Sequence, residues 1–322
     1  MLHCRRLRPL AWVLLGLLAL APTALGQEEG PLVLVVGTPL ADKFSGPLAR
    51  MEEAVRAGQP NARFESLRLQ GTDDLAAVAA RISERRPAVV VTVGMAVTKA
   101  VMEQVRDVPV VFTMTIVLDL DALDRERRGS APNVTGVSIA VPPREQFRVM
   151  KEAIPGLKKL GTIYTPDRTD ALVEAATRDA RAEGIELMAR PVRELTQVGE
   201  ALNAVLGESD AYWVLPDPNA TQSSALEEAR MRGLVLKKPT VGFDPEYSRR
   251  GGHLSIYCDR DDAGAQSGLV VLDILRGKAP ADLPLQPARR VLYSFNEDTA
   301  RQIGLAVSDP FRANAEHVFR NQ

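Results

Sequence analysis

AVVVTVGMAVTKAVMEQVRDVPVVFTM, residues 88–114, holds a complete strand–helix–strand repeat. Ala88–Val93 and Val110–Met114 are short runs of largely β-branched apolar residues. The segment between them, near 95–105, spaces its apolar residues three or four apart. Near-continuous apolar strands joined by an amphipathic helix belong to a parallel sheet that is buried on both faces. The same alternation extends outward. Leu32–Val36 and Phe64–Leu69 precede it and Val134–Ile139 follows, with helices expected near 45–57 and 73–85. The second of these carries Leu75, Val78, Ala79 and Ile82 on one face, with Thr72-Asp73 as its expected N-cap.

A helix at Pro143–Ile154 opens a second set of strands: Leu160–Tyr164, Ile185–Ala189, Ala211–Leu215, Thr240–Phe243 and Leu254–Tyr257. Helices are expected near 168–183, 194–206 and 219–235. The fold class is therefore α/β, with two doubly wound lobes of similar size and a cleft between them. A helix at Asp261–Arg276 leads into a Pro-rich linker, Ala279–Pro287, then a strand at Val291–Phe295 and a short helix near 297–303. The chain thus crosses between lobes more than once. Residues 27–139 with about 259–278 are assigned to the first lobe, 140–258 with about 288–305 to the second, and 306–322 to a C-terminal tail.

At 322 residues, 45% hydrophobic and 25% charged, the chain is long enough for two ordinary cores. Its 40 basic and 41 acidic side chains balance, without the electrostatic footprint that nucleic acid requires of a partner. Residues 1–26 read as an export signal and not as structure: Arg5, Arg6 and Arg8 precede the apolar run Leu10–Leu20, and Ala24-Leu25-Gly26 suits cleavage before Gln27. Cys4 lies ahead of the apolar run and not at the cleavage point, so a lipid anchor is not expected. The expected location is the periplasm, with no membrane insertion after cleavage and a monomeric protein. Cys258 would then be the sole mature thiol, read as a buried structural residue.

Catalytic groupings are scarce. His253 and His317 are isolated and read as surface residues, with no spacing that presents two metal ligands on one face. Neither G-x-G-x-x-G nor G-x-x-x-x-G-K-[ST] occurs, and Gly94 stands alone after its strand, so neither cofactor nor metal is expected. Carboxylates at strand ends are more informative: Asp167, Asp170, Asp217 and Asp244. In doubly wound sheets ligands bind outside those ends, where helix N-termini supply donors. Thr38, Thr113, Thr115, Thr165, Thr169, Tyr164, Phe243 and Tyr257 share these edges, as does Asn219 in the loop after Asp217. In this reading the helix starts at Ser45 and Met95, the latter beside Gly94, hold a carboxylate. Asp217 or Asp244 pairs with an amine, and an aromatic ring stacks on an apolar group.

Asn133-Val134-Thr135-Gly136-Val137-Ser138, Glu152-Ala153-Ile154-Pro155 and Lys158–Tyr164 (KKLGTIY) carry a resemblance. So do Asp210–Asp217 (DAYWVLPD), Gly251-Gly252, Ile274–Lys278 (ILRGK), and Asn296 with Arg301–Leu305 (RQIGL). Over roughly residues 108–305 the chain resembles the ABC-transporter substrate-binding proteins that include tryptophan and tyrosine binders. The resemblance implies a type I periplasmic-binding fold, in which two Rossmann-like lobes close on a small solute and present it to an ABC permease. It also implies that loops beginning at Gly94, Thr113, Thr165, Asp217 and Phe243 face the cleft. Three loops depart from the family: Gly37–Ser45 lacks the usual His-Pro, Thr115–Asp119 lacks Asp-Pro, and Thr165–Asp170 replaces Asn-Pro-x-x-x-Asn-Ser. The expected ligand is an amino acid or a related amine or carboxylate. Two alternatives stay open, a sensory or accessory module serving a membrane receptor or outer-membrane transporter and, third, an exported α/β enzyme.

Overall fold

The computed structural model describes residues 29–320; the expected export signal lies outside the described residues. The chain starts with β1 (Leu32–Gly37), α1 (Ser45–Gly58) and β2 (Arg63–Arg68), followed by the one-turn helices α2 (Gly71–Ala76) and α3 (Val78–Ser83). β3 (Val89–Val93), α4 (Met95–Gln104), β4 (Val110–Thr115), α5 (Leu120–Ser130) and β5 (Val134–Ser138) complete the first unit. α6 (Pro143–Ala153) opens the second, with β6 (Lys159–Tyr164), α7 (Asp170–Ala182), β7 (Glu186–Pro191) and α8 (Val198–Glu208). β8 (Ala211–Trp213), α9 (Ser223–Val235), β9 (Thr240–Gly242), α10 (Pro245–Arg249) and β10 (Leu254–Cys258) follow. Last come α11 (Arg260–Leu275), β11 (Gln286–Pro287), β12 (Val291–Asn296), α12 (Glu297–Gln302), α13 (Asp309–Ala313) and β13 (His317–Phe319).

Two sheets result, ordered β11-β5-β4-β3-β1-β2 and β13-β12-β10-β9-β8-β6-β7. Every described pairing is parallel except β10 with β12. Burial explains the order. All residues of β1, β3, β4 and β5 are buried, as their apolar runs require, whereas β2, at an edge, buries Leu67 alone and exposes its polar positions. In the second unit Trp213 is fully buried, set edge-on to Phe147, and donates its indole N–H to Gln146 Oε1 at 2.9 Å. The C-terminal segment contributes β13, which pairs with β12 in the second sheet.

The chain passes from the first sheet to the second after β5, returns between β10 and α11, and crosses again between β11 and β12. The return is anchored by helix packing. α11 follows a strand of the second sheet but packs against α1 and against β4 and β5 of the first. Its glycines make that approach feasible: a Cβ at Gly264 would lie 2.0 Å from the Pro47 carbonyl oxygen, and one at Gly268 2.5 Å from that of Met51.

Several expectations are corrected. The helix expected at 73–85 is two short helices divided at Ala77, and the first already starts at Gly71, so Thr72-Asp73 is not the N-cap. Helix α5 was not anticipated, because LDALDRERRGS lacks an apolar stripe. Its anchor is Arg127, which is wholly buried and donates to the carbonyls of Val134 (2.9 Å), Pro280 (3.2 Å) and Leu283 (3.0 Å), and to Asp124 Oδ1 (2.7 Å). Those bonds also seat the Pro-rich segment, which is no mere linker: its end forms β11 beside β5. His253 is not a surface residue. It is 1% exposed, and neither ring nitrogen has a hydrogen-bond partner among the described residues. His317 is exposed, and Cys258 is buried.

Two measurements check this packing. Gly264→Ala should lower unfolding free energy by about 1–3 kcal/mol through overpacking against backbone, read as a reduced denaturation midpoint. Burial holds the folded His253 imidazole down to about 4 against an ordinary 6.5. Between those values the unfolded chain binds the extra proton, so stability falls as pH drops from 6.5 to 4, by about 3 kcal/mol. Urea titrations across that range should show the loss, and His253→Gln should flatten it.

Candidate functional site

The C-terminal ends of both sheets converge on a narrow cleft of about 60 Å³. Ile116 and Leu118 follow β4, and Ile139, Ala140 and Val141 form the first crossover. From the second unit come Gln146 on α6, Pro216 after β8, Phe243 after β9, and Ile256, Tyr257 and Cys258 on β10. Arg260, the first residue of α11, closes the ring. Strand ends gather here because a βα unit turns its loops to the C-terminal edge, and the crossovers set the two edges face to face.

The walls are mostly apolar and their polar members are largely committed. Gln146 donates through Nε2 to the Val141 carbonyl at 2.8 Å and accepts from Trp213 at 2.9 Å. Burial pushes the Cys258 thiol up to about 11, so it is protonated at neutral pH and is not an activated nucleophile. Tyr257 is 8% exposed, and its hydroxyl has no hydrogen-bond partner among the described residues. Arg260 donates to Asp244 Oδ2 and lies over the Phe44 ring, 5.9 Å from its centroid. Phe44 belongs to the 3-10 turn after β1 and Asp244 caps α10, so the guanidinium connects the two units.

Of the residues anticipated from sequence, Phe243 and Tyr257 line this cleft. Asp217 is 1% exposed and organises loops. Its carboxylate accepts from Thr165 N (2.6 Å), Thr165 Oγ1 (2.9 Å), Thr169 Oγ1 (2.7 Å), Asn219 N (2.8 Å) and Ala220 N (3.0 Å). Asn219 in turn donates to the Val192 carbonyl at 3.1 Å. Asp167 is exposed, with positive φ, and pairs with Arg193 at 3.2 Å. Thr113 and Thr115 are buried: one hydroxyl lies 2.8 Å from Ser267 Oγ on α11 and the other donates to the Thr113 carbonyl. Tyr164 is half-buried against the main core. Thr38 precedes the 3-10 turn, Ser45 starts α1 and is exposed, and Gly94 and Met95 start α4; none of these lines the cleft.

The sequence reading missed Arg260. It looked for carboxylates at strand ends, and the same placement rule applied to cations would have found this residue, two positions beyond β10. A larger hollow, about 360 Å³, lies between α9 and α10 and shares Phe243 with the cleft. It draws its lining from the second unit alone, with Arg230, Glu227, Glu246 and Arg250 giving mixed charge. Among the described residues no group of acidic, histidine or cysteine side chains could hold a metal ion, and no helix is long and apolar enough to cross a membrane.

Comparison with known proteins follows from this geometry. The family model of ABC transporter substrate binding protein matches residues 61–319. A tyrosine-binding protein of Clostridioides difficile is 20% identical over 209 residues, 64% of this chain; the match spans only 60% of that relative's own length. Among solved structures, a conserved domain protein of Vibrio cholerae is 25% identical, with TM-score 0.67 over 90% of this chain and 99% of that one. A Streptococcus pneumoniae ABC domain in complex with L-Trp is 19% identical, with TM-score 0.68 over 90% and 100%. A ligand-free, open substrate-binding protein with adhesive properties from Clostridium difficile is 15% identical, with TM-score 0.72 over 90% and 100%. The last two likenesses speak to the fold.

The network around Asp217 predicts its own test. Asp217→Ala strands five donors at once and should cost about 3 kcal/mol in urea denaturation, because buried groups that lose partners carry their full desolvation penalty.

Proposed function

The chain belongs to the ABC transporter substrate-binding protein family, and from that premise we propose that it captures one small solute between its two lobes and delivers it to an ABC permease. One lobe is the first sheet with α11; the other is the second sheet, and the three crossovers between them act as the hinge. The observation that carries this reading is the cleft itself, whose lining comes from the strand ends of both sheets and from the crossover segments. A ligand held there touches both lobes when they approach, so its binding energy favours the closed arrangement by the contacts that only closure makes.

The ligand class is an amino acid or a related carboxylate with an apolar body. An apolar wall with the aromatic rings of Phe243 and Tyr257 suits such a body. The tyrosine-binding relative and the L-Trp complex point the same way. In this account residues 1–26 direct export to the periplasm, and the chain performs no chemistry on what it binds. Cys258, as a neutral thiol, and His253, buried without a partner, do not form a nucleophile–base pair that would support the enzyme alternative.

The test is a thermal-shift screen of purified protein against amino acids, short peptides, nucleosides, sugars and organic acids. A ligand at a hundred times its Kd stabilises the folded state by about 2.7 kcal/mol, so one class should raise the midpoint by roughly 5–10 °C. Silence across all classes from well-folded protein counts against solute binding.

A further inference from the structure

The cleft is charged in one sense only. Among the described residues that line it, Arg260 is the one ionised side chain. Its guanidinium presents five N–H donors, and among the described residues it makes a single hydrogen bond, to Asp244 Oδ2. Asp244 is itself divided: its Oδ1 accepts the Glu246 N–H at 2.9 Å, which caps α10. The pair is therefore one-pronged, leaving the rest of the fork open beside apolar walls. A guanidinium so placed, half-buried in its pair with Asp244, matches a carboxylate in two parallel N–H···O bonds.

Two carboxylates that the sequence placed at strand ends for an amine, Asp217 and Asp244, are committed to the protein. Asp217 serves five protein donors, and Asp244 serves α10 and Arg260. A ligand ammonium would meet the Arg260–Asp244 ion pair, whose carboxylate is already shared with the α10 cap.

We infer that Arg260 is the anion-recognising residue of the cleft, and that the solute is an apolar monocarboxylate for which an amino group is not required. This rests on the solute-binding reading above and narrows its ligand class. Asp244 and Phe44 hold the guanidinium in place across the two lobes, so the ligand carboxylate joins a cation that already spans the hinge. Affinity then depends on the carboxylate, and the apolar body sets only its fit against Ile116, Ile139 and Phe243.

Three probes with one ring system separate the charges: indole-3-propionate carries the carboxylate alone, L-tryptophan both groups, and tryptamine the amine alone. Calorimetry on the full chain should find indole-3-propionate within threefold of L-tryptophan and tryptamine at least thirtyfold weaker. Arg260→Gln should weaken both carboxylates at least tenfold at an unchanged thermal midpoint, and Arg260→Lys, which keeps the charge but not the fork, should recover part of that loss. The inference is overturned if tryptamine binds as well as the acids, if the folded Arg260→Gln protein binds the acids as wild type does, or if none of the three binds. In the last case a responding sugar or other neutral solute in the broad screen leaves solute binding standing and removes only the carboxylate assignment. Silence there as well removes both.

Discussion

The rest of the structure depends on the contact between α11 and α1. α11 emerges from β10, at the heart of the second sheet, yet packs on the first, with Gly264 and Gly268 set against the carbonyl oxygens of Pro47 and Met51. Two backbones meet that closely only where no Cβ intervenes. The consequence is topological: the chain must leave the second sheet at Cys258, turn at the Asp259 cap and enter the first unit at Arg260. That turn closes the cleft and carries its cation, so a packing constraint about a turn or more along the helix decides where Arg260 stands.

Elsewhere buried charge works as a fastener. Arg127 has no exposure and satisfies three carbonyls on two segments remote in sequence, β5 and the Pro-rich stretch, while Asp124 offsets its charge. Asp217 does the converse with five donors that tie the loops after β6 and β8 together. Removing water from such groups is costly unless every lone pair or proton finds a partner, which is why both sit in dense networks. The Asp217 network ties the loops at the C-terminal ends of β6 and β8, whereas Arg127 secures the opposite end of β5, where Val134 begins the strand.

Much of the fold was legible because it is written in local pattern. The strand runs 32–36, 88–93, 110–114 and 134–139 all appear within a residue or two of their expected ends, since a strand buried on both faces needs a continuous apolar run. Where pattern fails, the cause is specific. LDALDRERRGS forms α5 although its face is charged, because Arg127 finds its partners in β5 and in residues some 150 positions away. His253 follows two glycines in a polar-looking turn, yet β12 covers it by pairing with the strand it precedes. The candidate site was half legible for the same reason. Strand ends could be placed, and Phe243 and Tyr257 do reach the cleft, but the hydroxyls of Thr113 and Thr115 turn into the first unit.

By itself the sequence determined the architecture: two parallel α/β units, most of the strands in their order, and a chain that crosses between the units repeatedly. Period and apolar run length are properties of neighbouring residues, so they survive without any knowledge of contacts. Only the tertiary structure decided which polar side chains are spent on the protein and which face the ligand. Asp217 and Arg260 both stand just beyond a strand end, and nothing within a few residues of either distinguishes them. The difference lies in partners brought from Thr165, Thr169 and Asn219 in one case, and from Phe44 and Asp244 in the other. Whether a charge at a strand end is enclosed by partners or left partly open is set by those long-range contacts.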